Sequence, residues 1–177
     1  MKKTFSENKI ALLGILGAVA LVLSFLESTL MPDLPFLPPG AKLGLSNIVT
    51  MLAANLYGFG GAMCITLLKG LFAFSTRGAT AALMSLSGGI ISTVGLGLLI
   101  KHEGKIISFF GISVICAVLH NFGQLAASCL ITGTVSLINY GKYLLLFAII
   151  TGSLTGIMLN VIMPRLKKVL VKQGLRE

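Results

Sequence analysis

Acid is scarce in this chain. Its 177 residues include five Asp and Glu against fourteen Lys and Arg, and Asp33 is the single aspartate. Chemistry that holds a diphosphate through magnesium needs clustered carboxylates, which one Asp does not supply. A Gly-x-x-x-x-Gly-Lys-Ser/Thr loop is also missing, so the chain does not hydrolyse ATP by itself. Tryptophan is absent, leaving Tyr57, Tyr140 and Tyr143 as the polar-tipped aromatics that can anchor at a membrane interface. The three cysteines, Cys64, Cys116 and Cys129, sit in apolar runs without metal-ligand spacing and read as packing residues. These absences describe a protein that is not an enzyme and has no cofactor or metal of its own.

Hydrocarbon is what fills the space. Hydrophobic residues make up 55% of the chain and charged ones 11%, with a mean hydropathy of +0.98. That composition defines an integral membrane protein. A core about 30 Å thick needs roughly 20 apolar residues per helix, so this length accommodates five or six spans in one domain, 1–177, with no separate soluble part. The net charge of +9 points away from nucleic acid because of where the bases lie. Lys2, Lys3 and Lys9 precede the first span, and Arg165, Lys167, Lys168, Lys172 and Arg176 follow the last. This positive-inside pattern places both termini in the cytoplasm, which requires an even number of spans. The expectation is an all-α, multi-pass protein of the bacterial plasma membrane with six transmembrane helices. The first apolar run is too long for a signal peptide and lacks a small-residue cleavage site, so it reads as a retained span.

In chain order the spans are expected near Ile10–Leu30, Leu43–Tyr57, Ala62–Phe74, Ala79–Ile100, Ile106–Thr132 and Leu144–Met163. Phe59, Gly60 and Gly61 make an inner turn, Arg77 sits in an outer one, and Lys101 to Lys105 form a cytoplasmic turn. Four of the five prolines fall in 31–42, MPDLPFLPPGAK, which excludes a helix there. This stiff, apolar outer loop is read as a lid over a cavity mouth or as a rigid connector. Pro164 is expected to end the last span and begin a basic tail, 164–177, along an anionic membrane surface. On the first span Gly14 and Ala18 form a small-xxx-small pair that lets another helix approach closely, either a partner's or one of this chain.

Polar groups inside spans are costly unless they face a partner or a water-filled cavity. The fifth span carries three: His120, Asn121 and Gln124. His120 lies about 21 Å along the helix from Ile106 at 1.5 Å per residue, just past the midplane. One turn separates His120 from Gln124, so they share a face and are read as one site, with Asn121 on another face and Gly123 permitting close approach. Glu27, Lys42, Ser46, Asn47, Lys69, Arg77 and Ser85 also fall in the outer halves of their spans or at the outer rim. A ligand pocket open to the outside follows, lined by His120, Asn121, Gln124, Lys69, Lys42, Asn47, Arg77, Ser85 and Glu27. Lys42, Lys69 and Arg77 favour an anionic group on a small solute, unless Glu27 neutralises Lys69. The small and hydroxylated residues of 85–97 and 151–156 read mainly as helix packing.

The segments PGAKLGLSNIVTMLA (Pro39–Ala53), SLSGG (Ser85–Gly89), AVLHNFGQLAAS (Ala117–Ser128) and TGSLTG (Thr151–Gly156) together resemble the Gx transporter family. Its members often carry the label heptaprenyl diphosphate synthase component I. The resemblance covers nearly the whole chain, and His120, Asn121, Gly123 and Gln124 are its most specific part. The family is similar to the substrate-binding S components of energy-coupling factor transporters, which implies six helices, both termini inside and an outward pocket. It also implies docking through small residues of the first helix, here Gly14 and Ala18, onto a transmembrane coupling subunit whose ATPase partners consume ATP. Some relatives resemble membrane components of flavin-based extracellular electron transfer that act beside quinone-making enzymes, and an accessory role in prenyl diphosphate or quinone synthesis is the alternative.

Overall fold

A computed structural model describes residues 2–30, 44–104 and 106–172. Lys42, the lid expected over 31–42, and Arg176 lie outside the described residues. Four α-helices account for most of the rest: α1 (Lys2–Leu30), α2 (Leu45–Leu99), α3 (Phe109–Thr132) and α4 (Gly141–Lys172). Short 3-10 turns, Ile100–His102 and Val135–Tyr140, connect the last three. All four helices are long and apolar enough to cross a membrane. Helix is the expected solution for such a chain, because hydrocarbon offers no hydrogen-bonding partner to the backbone and a helix satisfies it internally. Large apolar side chains accordingly cover the outside, among them Ile10, Leu71, Leu98 and Leu130.

Where six separate helices were expected, four stand, and the reason lies in α2. At 55 residues it would extend about 80 Å if straight, far beyond a bilayer core of about 30 Å. Its backbone leaves helical geometry at Gly58 (φ 69°, ψ −163°) and Gly78 (φ 85°, ψ −179°). Both conformations are accessible essentially to glycine alone. Contacts across Gly78 show the flanking stretches lying side by side and antiparallel. A methyl built on Gly97 would meet Phe59 at 2.7 Å, one on Gly89 would meet Thr66 at 2.8 Å, and one on Gly70 would meet Leu86 at 2.2 Å. Across Gly58, Asn47 likewise reaches Lys69. The inner turn expected at Phe59–Gly61 and the outer turn at Arg77 are therefore not loops, because one glycine at each reversal replaces them.

Two apolar clusters hold the bundle. Leu16 and Ala20 of α1 pack on Val49, Ala53 and Ile65 of α2. Leu159 and Met163 of α4 join Ala62, Leu96, Phe109 and Ile112. Leu13, Leu56 and Tyr57 border the first cluster, and Ile107 and Leu166 the second. The early part of α1 and the late part of α4 thus lie at the same end as Gly58. Pro164 does not stop α4. It forgoes only the bond to the Asn160 carbonyl, and the helix continues to Lys172, so the basic stretch begins as helix.

Candidate functional site

Helix crossings at glycine bring α3 close enough to build a site. A methyl on Gly88 would fall 2.6 Å from the His120 carbonyl, and one on Gly123 2.9 Å from the Gly88 Cα. On the opposite side of α3, methyls on Gly152 and Gly156 would meet Val114 Cα and Phe110 Cα, both at 2.6 Å. No larger residue fits these backbone-to-backbone contacts, which wedge α3 between the end of α2 and α4.

Between the helices lies a cavity of about 800 Å³, counting the space at its open side. Its end farther from Gly58 is built around Glu27, which is 1% exposed. The Glu27 carboxylate accepts from the Leu45 amide (2.5 Å) and the Ser46 hydroxyl (3.0 Å). It thereby caps the start of α2, whose N-cap, Gly44, is left-handed and has no side chain to do so. An anion at this position complements the unsatisfied N–H groups and the helix dipole. Beside it the buried Lys69 donates to Asn47 Oδ1 at 2.8 Å. Deeper in, His120 Nδ1 stands 3.5 Å from the Ser92 hydroxyl, at the outer limit of a hydrogen bond. The Thr66 and Thr93 hydroxyls pair at 2.7 Å, and Asn121 Nδ2 donates to the Leu144 carbonyl at 3.0 Å, tying α3 to α4.

Six of the nine residues expected at the pocket line this cavity: Glu27, Asn47, Lys69, Ser85, His120 and Asn121. Lys42 is outside the described residues. Arg77 does not line it, although its charge feels the Glu27 carboxylate. Gln124 is also elsewhere: it borders a second, smaller cavity with Leu125, Ser128 and Tyr140. His120 and Gln124 do share a face, both lying against Gly88. That helix rests on this face, however, and the two side chains leave it toward different spaces. Asn121, expected on another face of α3 than His120, lines the main cavity with it.

Sequence reasoning missed the hydroxyl lining: Thr50, Thr66, Ser92, Thr93, Ser113, Thr151 and Thr155. The signal was their period. Ser85, Gly89, Ser92, Thr93 and Leu96 follow helical spacing, as do Ser113, Ala117 and His120, and each set is one stripe turned inward. Gly14 and Ala18 are both exposed, and a methyl on Gly14 would meet nothing within 4 Å. Neither is used in packing against the described residues of this chain.

Apolar membrane-length helices around a polar cavity define a helical membrane protein with an internal site. The chain belongs to the family described as heptaprenyl diphosphate synthase component I, whose match runs over residues 16–162. Neither a curated protein nor a solved structure matches it.

Proposed function

We propose that this protein is the solute-binding, S-component-like subunit of an energy-coupling-factor-type transporter in the bacterial cell membrane. In this reading the chain crosses six times, α2 contributing three passes through its reversals at Gly58 and Gly78. Both termini are cytoplasmic: Lys101, Arg165, Lys167 and Lys168 collect at the Gly58 end of the bundle, as the positive-inside rule requires. The end that carries Glu27 and the cavity's polar floor then faces outward.

The observation that carries the proposal is the cavity itself: buried Lys69, Glu27 and Asn121 with His120 and a ring of hydroxyls, enclosed by apolar helices. Ionisable groups at such depth mark substrate paths. The lining among described residues holds one cation and one anion, and Glu27 is engaged at the helix cap, so it suits a small polar solute of low net charge, including one with a single carboxylate directed at Lys69. The partners are a transmembrane coupling subunit and ATPase subunits that consume ATP, while this chain catalyses nothing. The test is native mass spectrometry of the protein purified from its own membranes, alone and with candidate coupling partners. A retained small solute, lost in Lys69→Ala and His120→Ala, is the expected result. Retention unaltered in both variants would sink the reading.

The family description favours a second reading, an accessory role in prenyl diphosphate or quinone synthesis. Addition of this protein to a prenyl synthase would then raise that enzyme's rate, which a transport subunit would not do. A role in flavin-based extracellular electron transfer predicts lost electron transfer without lost uptake.

A further inference from the structure

The second cavity belongs to no part of the transport reading. It holds about 370 Å³, counting its open side, between the last stretch of α2 (Met84), α3 (Gln124, Leu125, Ser128), the 3-10 turn (Leu137, Tyr140) and the start of α4 (Leu144). Gln124 is only 5% exposed, yet its amide makes no hydrogen bond to any described residue. No fully buried side-chain nitrogen or oxygen among the described residues lacks a partner, so the Gln124 amide keeps its small exposure, at the cavity it borders, where it is open to a guest. The hydroxyls of Ser128 and Tyr140 are similarly unengaged among the described residues. Among the described residues everything else in the wall is apolar, and no Lys, Arg, Asp or Glu lines it.

We infer that this cavity is a site for a neutral, single-chain membrane amphiphile. Its chain lies along Met84, Leu125, Leu137 and Leu144, and its small hydroxyl- or carbonyl-bearing head bonds Gln124. Charge decides the head: a phosphate or ammonium would be desolvated here without a counter-ion. Depth decides it as well. Gln124 precedes the last residue of α3, Thr132, by eight positions, or about 12 Å at 1.5 Å per residue. A charged phospholipid head does not sink that far into a hydrocarbon core about 30 Å thick, whereas a glycerol or alcohol head does. Access is from the side, since the neighbouring Leu83, Ile131 and Ile138 already face outward as large apolar groups. An amide is both donor and acceptor, so it takes a hydroxyl and an ester carbonyl together.

The chain's lack of Trp gives the test its reporter. Ile138→Trp, beside the cavity but outside its lining, supplies one fluorophore in protein reconstituted into nanodiscs. A monoacylglycerol with a dibrominated chain is titrated in, and dibrominated phosphatidylglycerol serves as the charged comparison. The expected result is saturable quenching by the monoacylglycerol alone, weakened roughly 5- to 10-fold in Gln124→Met, which keeps the length and removes the amide. Ser128→Phe, which fills the cavity, abolishes saturation and decides the matter if Gln124→Met does not fold. Quenching that rises without saturating, that is unchanged in both variants, or that phosphatidylglycerol reproduces would overturn the assignment.

Discussion

Glu27 shows how much one residue decides here. As an acid in an apolar run it reads as a partner for Lys69, yet its hydrogen bonds close the open end of α2 through Leu45 and Ser46. Glu27→Ala leaves that amide and hydroxyl without their acceptor. It should cost about 1–2 kcal/mol, the scale of a lost cap, read as a lower midpoint in thermal unfolding followed by gel filtration in detergent. Glu27→Gln keeps an acceptor and loses the charge, so its midpoint should fall between wild type and Glu27→Ala. Asn121 invites a parallel test. Its bond to the Leu144 carbonyl joins two helices, and Asn121→Leu should lower stability by about 1 kcal/mol, read as a lower thermal midpoint in detergent.

Among the elements, α2 departs most from an ordinary helix, because two of its glycines perform the work of loops. Neither Gly58 nor Gly78 has a neighbour within 4 Å of a built methyl, so alanine there meets only the backbone penalty. Gly78→Ala should destabilise by about 1–3 kcal/mol and leave solute retention unchanged. Gly88 has ordinary helical geometry, yet its missing side chain is what admits the His120 carbonyl at 2.6 Å. Gly88→Ala should push α3 outward, displacing His120 from Ser92, and so reduce both stability and retention. Measuring the two variants side by side separates a turn residue from a site-building one. Helix existence was legible here from apolar runs alone. The turns were not, since a reversal made by a single residue leaves no polar stretch in the sequence to mark it.

For the molecule as a whole, the exposed pair Gly14 and Ala18 separates folding from assembly. Both lie on the outer face of α1, with Leu16 and Ala20 turned to the core. Gly14→Leu with Ala18→Leu should therefore leave the isolated protein's stability within about 0.5 kcal/mol of wild type, read as an unmoved thermal midpoint, and, on the transport reading, should abolish capture by a coupling subunit. Loss of folding would show that the pair serves this chain's own packing. Composition, the run lengths of apolar residues and the family's polar segments were enough to specify a helical membrane protein and to nominate six residues that do meet at one cavity. They did so because hydrocarbon penalises every unpaired polar group, so each exception in the sequence carries information. Which exceptions share a space was settled only in three dimensions. His120 and Gln124 sit one turn apart, but Gly88 packs between their paths and sends them to different cavities, and a contact between distant segments cannot be read from spacing along one helix.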